Sequence, residues 1–463
     1  MSQLNAVLAH IDADQPQALE RLFQLLRIES ISTDPAHAPS CRDAADWLAA
    51  DMTTMGFDAA RRDTPGHPMV VGHTTGDADQ TDRPHLLFYG HYDVQPVDPL
   101  ELWTRAPFDP ALEERSTGTV IRARGASDDK GQLMTFLEAC RAYRAVTGTL
   151  PCRISVLLEG EEESGSPSLI PFLTEHAAEL RADLALVCDT GMWDHETPMI
   201  TVGLRGMTSE SVTIKAADRD LHSGIYGSAA QNPLRILSRL LAGLHDPTGR
   251  VTLPGFYDGV EDLSAEMRAD WAKLDFDPAA FLGEVGLSVP AGEQAYPVLE
   301  QISVRPTCEI NGISGGYAGP GFKTVLPAEA TAKISFRLVA GQDPEAVRDS
   351  FRAYIRGGLP ADCSAEFIAH GGAPATVLPS ADPAFQAARA ALTDEWEHDA
   401  VFLAMGGSIP VVGHFQEILG LNSLLVGFAQ KDDALHAPNE KYDLRSFHKG
   451  IRSWARILDR LAG

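Results

Sequence analysis

Leu86-Leu87-Phe88-Tyr89-Gly90-His91-Tyr92-Asp93 decides how this chain folds: four consecutive apolar residues end at a glycine and give way at once to a histidine and an aspartate. A short apolar run bounded in this way suits a strand covered on both faces, as in a parallel sheet. Four further runs have the same character: Ile154-Ser155-Val156-Leu157-Leu158, Leu184-Ala185-Leu186-Val187, Val401-Phe402-Leu403-Ala404 and Leu424-Leu425-Val426-Gly427-Phe428. Helical patterns over 131–143 and 167–180 fall between them, so the order is βαβ-like and predicts an open, mostly parallel α/β sheet. Two more helices open the chain, over 17–27, where Leu19, Leu22, Phe23, Leu25 and Leu26 recur at helical spacing, and over 41–55.

From about Thr208 the texture changes. Ser211-Val212-Thr213-Ile214-Lys215 and the stretch 330–338 alternate apolar with polar residues, the signature of strands with one solvated face. The buried-strand texture returns after about Asp382. The predicted architecture is therefore an α/β domain over residues 1–206 and 380–463, interrupted by a smaller α+β domain over 207–379. A chain of 463 residues fits two domains, because single cores stop growing at roughly 250–300 residues. The Gly/Pro-rich stretch 312–321 is predicted to be a loop.

With 64 acidic against 38 basic residues the formal net charge is −26. Such a surface repels phosphodiester backbones and anionic lipid headgroups, which argues against nucleic acid and membrane surfaces as partners. The same field attracts metal cations, although a solvated acidic surface has the same composition. Six cysteines without a C-x-x-C pair fit scattered buried thiols in a reducing compartment. Neither a basic-then-apolar leader nor an apolar run of about 18 residues occurs, so the expected location is the cytoplasm.

The polar residues that close the apolar runs carry the functional signal. His91-Tyr92-Asp93 follows the first, Glu161-Glu162-Glu163 the second, Asp189 the third and Gly406-Gly407-Ser408 the fourth. In open α/β sheets ligands bind outside the carboxyl ends of the strands, so these groups are expected to converge. His91-x-Asp93 on extended backbone puts both side chains on one side, where a carboxylate can fix the imidazole tautomer for metal ligation. Three adjacent carboxylates at 161–163 repel one another unless a cation neutralises them or water solvates them. Asp128 and Asp129 precede the helix from Gly131 and suit either N-capping or ligation. His436, in Leu435-His436-Ala437-Pro438-Asn439-Glu440, suits either a plain loop or a ligand site.

Together, Gly90-His91-Tyr92-Asp93-Val94-Gln95-Pro96, Ser127-Asp128-Asp129-Lys130-Gly131, Glu159-Gly160-x-Glu162-Glu163-x-Gly165-Ser166, Asp189 and His436 resemble the M20 metallopeptidases, nearest the cytosolic nonspecific dipeptidase or carnosinase-like branch, over essentially the whole chain. The resemblance implies a metal-binding catalytic domain with an inserted lid and dimerisation domain. It also implies two divalent ions per subunit, zinc first, with manganese or cobalt as alternatives. His91 and Asp189 would bind one ion, Glu163 and His436 the other, and Asp128 would bridge them. Asp93 would orient His91, Glu162 would be the general base, and the Asp128–Asp129 peptide bond would be cis.

Asp220-Leu221-His222-Ser223-Gly224, Gly319-Pro320-Gly321-x-Lys323-Thr324-Val325-Leu326-Pro327, Ser335-Phe336-Arg337-Leu338-Val339 and Gly406-Gly407-Ser408-Ile409-Pro410 extend the match. His222 would then reach the active site of the partner subunit in a homodimer, and Thr324, Arg337, Gly407 and Ser408 would contact a small peptide substrate. The pattern departs after His370-Gly371-Gly372, where Ala373-Pro374-Ala375-Thr376-Val377 replaces an aromatic and histidine-containing segment, so His370 is given no substrate role.

The implied reaction is hydrolysis of dipeptides or short peptides by exopeptidase action. A water bridging two ions would attack, Glu162 would accept its proton, and His222 would donate to the developing oxyanion. An N-acyl or N-carbamoyl amino-acid amidohydrolase would use the same ions. A catalytically silent peptide-binding protein would show a broken base or ligand position, and the sequence shows neither.

Overall fold

Each of the five apolar runs lies in a strand or at its end in the computed structural model, which describes residues 3–75, 82–407 and 409–463. Four of these strands stand side by side in the order Arg153–Glu159, His85–His91, Leu184–Val187 and Ser423–Val426, all parallel. Leu86 faces Ile154 on one side and Leu184 on the other, and Leu186 faces Leu424. Being covered on both faces, such strands need no polar alternation, which is why they read as unbroken apolar runs.

The margins of this sheet are antiparallel. Phe57–Arg62 and Met69–Thr74 extend one side and Met199–Leu204 the other. Phe57–Arg62 alternates buried with more exposed residues and carries Asp58, Arg61 and Arg62, as suits a half-solvated edge rather than a buried centre.

The first helix begins at Gln3 rather than near residue 17 and runs through Pro16 to Leu26. An interior proline costs a helix about 3 kcal/mol. Val7, Leu8 and Ile11 before it continue the buried stripe of Ala18, Leu22 and Leu25, and their burial outweighs that cost. Helices Gln3–Leu26, Lys130–Thr147, Pro383–Glu395 and Leu444–Leu461 pack on one another. Leu444–Leu461 buries Phe447, Ile451, Trp454 and Leu458, while Lys449 and Arg452 on its other face pair with Glu397 and Glu395.

Phe136 stacks on Phe88 with ring centroids 3.9 Å apart, and Trp454 meets Phe136 edge-on at 5.4 Å. This aromatic joint docks helix Lys130–Thr147 on strand His85–His91, so the helix N-terminus comes beside the strand's carboxyl end. Asp129 Oδ2 there accepts the His91 backbone N–H at 3.1 Å.

The chain divides into two compact units: Met1–Val202 with Leu378–Phe402 and Val411–Gly463, and Gly203–Val377 with Leu403–Pro410. The second holds a four-stranded antiparallel sheet in the order Thr307–Gly315, Glu329–Leu338, Gly206–Lys215, Ser364–Ala373. Val212, Ile214, Ile334 and Phe336 of the sheet share a core with Ile236, Leu237, Phe351 and Ile355 of its helices. The stretch 312–321 is not wholly a loop, because Gly312–Gly315 continue a strand paired with Ala330–Lys333. A β-bulge between Ile310 and Gly312 absorbs the extra residue and lets pairing resume. Among the described residues, no helix is long and apolar enough to cross a membrane.

Candidate metal centre

Parallel strands share a direction, so their carboxyl ends share one edge of the sheet, and the loops leaving that edge carry the titratable residues. His91 is the last residue of its strand. Glu162 and Glu163 open a 3-10 turn just past Arg153–Glu159, and Asp189 lies two residues past Val187. His436 sits in the segment after Ser423–Val426, and Asp128 in the turn before helix Lys130–Thr147.

Their side chains meet. His91 Nε2 lies 3.2 Å from Asp128 Oδ1 and 4.0 Å from Asp189 Oδ2, while His436 Nε2 lies 2.8 Å from Asp128 Oδ2 and 3.4 Å from Glu163 Oε2. Asp128 therefore turns one oxygen towards each histidine. Two groups result, His91/Asp128/Asp189 and Asp128/Glu163/His436, and within each the potential ligand atoms all lie within 4.8 Å of one another. Asp128 belongs to both.

The residues fit a pair of divalent cations. Among the described residues, His91 Nε2 and Glu163 Oε1 are buried with no hydrogen-bond partner. Such atoms cost about 1–3 kcal/mol each unless a ligand satisfies them. Imidazole and carboxylate donors without a thiolate suit zinc, manganese or cobalt.

Burial pushes the Asp189 carboxyl well above its ordinary range, and pushes Glu163 up to about 7 with Asp128's charge adding to the effect. Burial alone would also raise Asp128, but its hydrogen bond to His436 and the nearby His91 imidazole hold it below its ordinary value. The Asp128 contact lifts His436 to about 9. Concentrated negative charge out of water is the field a cation neutralises.

Glu162 stands outside both groups. Burial raises its carboxyl, His91 opposes the rise, and the charges of Asp93 and Asp128 add to it. Asp93 holds the turn beneath it: its Oδ1 and Oδ2 accept the backbone N–H groups of Glu162 and Glu163 at 3.2 and 3.0 Å. His91 Nδ1 lies 3.1 Å from the main-chain oxygen of Asp93 and 3.4 Å from its carboxylate. Asp93 is thus bound to the ring chiefly through backbone, and its carboxylate serves the glutamates. Asp129 occupies the N-cap position without a side-chain cap bond, because its carboxylate is turned to His91 N–H. The Asp128–Asp129 peptide bond is cis.

Several supporting residues escaped the sequence reading. Gln95 Nε2 donates to Glu163 Oε2 at 2.7 Å. Ser127 Oγ donates to Asp433 at 2.6 Å, and Arg124 Nη1 to Glu440 at 2.7 Å. In the segment bearing His436, Ala434, His436 and Asn439 have φ of 57°, 58° and 65°, left-handed values that cost non-glycine residues roughly 1–2 kcal/mol each. Strain of this kind clusters at functional sites. Gln95 and Glu440 stood within quoted motifs, but only three-dimensional contact reveals what they hold.

The second unit carries His222, Thr324, Arg337 and Gly407. Leu221–His222 pairs with Val325–Leu326, and Ser223 N–H donates to the Thr324 carbonyl at 3.1 Å, so His222 and Thr324 share one short ribbon. His222 is exposed, and its Nδ1 accepts Gly224 N–H at 3.0 Å. Arg337 lies on Glu329–Leu338, and burial together with Arg337's charge brings Arg205 down to about 10. Gly407 is exposed, and Ser408 lies outside the described residues. His370 Nε2 is bonded to Ser211 Oγ at 2.8 Å.

The sequence profile of Peptidase family M20/M25/M40 matches residues 87–460, which includes every residue of both ligand groups. The chain belongs to this family. Its M20 relatives include the Cys-Gly metallodipeptidase dug1 of Schizosaccharomyces pombe, 27% identical over 477 residues, covering 98% of this chain and 97% of the relative. The Beta-Ala-His dipeptidase of Homo sapiens is 26% identical over 479 residues, covering 99% of this chain and 93% of the relative. Among solved structures, the M20 metallo-carboxypeptidase Sso-CP2 from Sulfolobus solfataricus superposes with a TM-score of 0.79 at 29% identity, over 96% of this chain and 99% of that one. This chain is thus an M20 metallopeptidase.

Proposed function

We propose that this M20 enzyme is a dipeptidase that hydrolyses dipeptides and similarly short peptides, with His91 and Asp189 holding one divalent ion, Glu163 and His436 a second, and Asp128 bridging. The observation that carries the reading is the pair of ligand groups sharing Asp128, with His91 Nε2 and Glu163 Oε1 buried and unpartnered. The dipeptidase names of two relatives aligned over nearly the full chain support the substrate class. Zinc is the proposed native ion, with manganese and cobalt as competent substitutes.

Bound there, two divalent cations would supply Lewis acidity, raising the acidity of a shared water and polarising the scissile carbonyl. Glu162 takes the proton of the attacking water and passes it to the departing amine, first base and then acid. Its raised carboxyl pKa brings it closer to neutral pH, where such transfer is efficient. Asp93 keeps Glu162 and Glu163 in place through their backbone N–H groups. In a homodimer, His222 of one subunit serves the site of the other as an oxyanion donor, a role that its exposed ring supports. Thr324, Arg337, Gly407 and Ser408 bind substrate, the Arg337 guanidinium suiting a terminal carboxylate. The six cysteines are free, which supports a reducing, cytoplasmic setting.

The test is a metal-dependence assay on Ala-Ala, Cys-Gly, β-Ala-His and N-acetyl-alanine. The expected result is hydrolysis of free dipeptides that is abolished by chelation and restored by Zn²⁺, Mn²⁺ or Co²⁺. Hydrolysis of N-acetyl-alanine alone would overturn the dipeptidase assignment in favour of an amidohydrolase.

A further inference from the structure

Glu440 is a fully buried carboxylate four residues beyond His436. Its Oε1 accepts the backbone N–H of Ser127 at 2.9 Å and of Asp128 at 3.1 Å. Its Oε2 accepts the backbone N–H of Gly125 at 2.9 Å and Arg124 Nη1 at 2.7 Å. Three main-chain donors in four consecutive residues, 125–128, thus converge on one side chain. Arg124, 1% exposed, neutralises the charge and also donates to the carbonyls of Pro96 and Ala437, at 3.1 and 3.3 Å. The pair therefore ties three segments together: the one after His91, the one that presents Asp128, and the one that presents His436.

We propose that Glu440 is a positioning residue for the dinuclear centre, holding the Asp128 backbone so that its carboxylate spans the two ligand groups, without touching either ion. The inference rests on the proposed two-ion site and adds a residue that no ligand group contains. Asp128 is the one side chain common to both groups, so a shift of its backbone disturbs both ions together. Plain packing would not need this arrangement, since an apolar side chain of equal volume fills space more cheaply than a buried ion pair. A carboxylate is needed because it offers acceptors only. In Glu440→Gln one oxygen becomes an NH₂ group facing N–H donors, so at most half of the four bonds survive.

The experiment titrates metal-free wild type, Glu440→Gln and Glu440→Asp with Co²⁺, reading affinity by chelator competition and coordination geometry by the visible absorption of the bound ion. Thermal unfolding of the metal-free forms runs alongside. Loss of a residue that supports ligands typically weakens metal affinity by about 10–100-fold. That weakening is expected for both ions in Glu440→Gln, with an altered spectrum. Glu440→Asp keeps the charge for Arg124 but withdraws the acceptors by one methylene, so a smaller affinity loss with a shifted spectrum is expected. A folded Glu440→Gln protein with wild-type Co²⁺ affinity and spectrum, whatever its unfolding temperature, would overturn the proposal. Should that variant not fold, wild-type affinity and spectrum in Glu440→Asp overturn it equally. Failure of the wild type to bind two Co²⁺ ions would instead refute the two-ion site itself.

Discussion

Glu162→Gln is the sharpest test of the chemistry, because it removes proton acceptance while leaving almost everything else in place. The side chains are nearly isosteric. The bond that fixes residue 162 runs from its backbone N–H to Asp93 at 3.2 Å and survives the change. The residue lies outside both ligand groups, so metal content should stay at two ions per chain. Burial disfavours the ionised carboxyl in the folded state, and removing that charge should leave thermal stability unchanged or slightly raised. A positioned base contributes about 10²–10⁴-fold, or about 3–5 kcal/mol of barrier at 1.36 kcal/mol per decade. Steady-state kinetics on Ala-Ala, with metal content measured on the same preparation, should show kcat reduced by that factor. A kcat within tenfold of wild type, with two ions bound, would refute Glu162 as the base. Metal lost in parallel with activity would show it to be a ligand instead.

Three further outcomes are expected. Arg124→Ala leaves Glu440 charged and buried without its counter-ion, which should cost about 3–5 kcal/mol in urea unfolding; a loss below 1 kcal/mol would contradict the reading of that pair. Tyr89→Phe removes the donor to Glu159 Oε2 at 2.6 Å, whose other oxygen already lacks a partner, and should cost about 1–3 kcal/mol. Because burial lifts Glu159 to about 7, the acid is neutral at pH 5.5 and charged at pH 8, so that cost should be larger at pH 8, and a pH-independent loss would count against it.

His436, lifted to about 9 by its hydrogen bond to Asp128, is protonated in the metal-free protein at pH 7.5. Its folded pKa is raised, so its stabilising contribution is complete below about 6.5 and is lost as pH rises through about 9. Ion uptake at pH 7.5 must therefore release protons, and calorimetric heats should vary with buffer ionisation enthalpy; heats independent of buffer would contradict that protonation state.

The centre of the fold was legible in the sequence because doubly buried parallel strands cannot hide: Leu86–Tyr89 and Leu184–Val187 are unbroken apolar runs in strands that pair with each other. The antiparallel margins were not, since Phe57–Arg62 mixes charge with apolar residues and carries no run. Pro16 hid the first half of the opening helix, because a local propensity rule was overridden by packing that the sequence does not display. The approach of His91, Glu163 and Asp189 was legible as polar residues closing apolar runs, whereas Asp128 and His436 joined the set only through the family resemblance. What supports them was not legible. The carboxylate of Asp93 reaches the glutamate turn rather than chiefly the imidazole, and Glu440 holds a loop more than three hundred residues upstream, because long-range bonds leave no periodic trace.

The order of the ligands along the chain has a consequence for biosynthesis. His91, Asp128, Glu163 and Asp189 leave the ribosome within the first 189 residues, whereas His436 emerges only after the whole second unit. A nascent chain stopped short of residue 436 has one ligand group complete and the other lacking its imidazole. Glu440 and Trp454, which brace the Asp128 turn and the aromatic joint, come later still. Translation thus supplies the imidazole of the second ligand group long after the residues of the first, and a nascent chain that has not reached residue 436 lacks it.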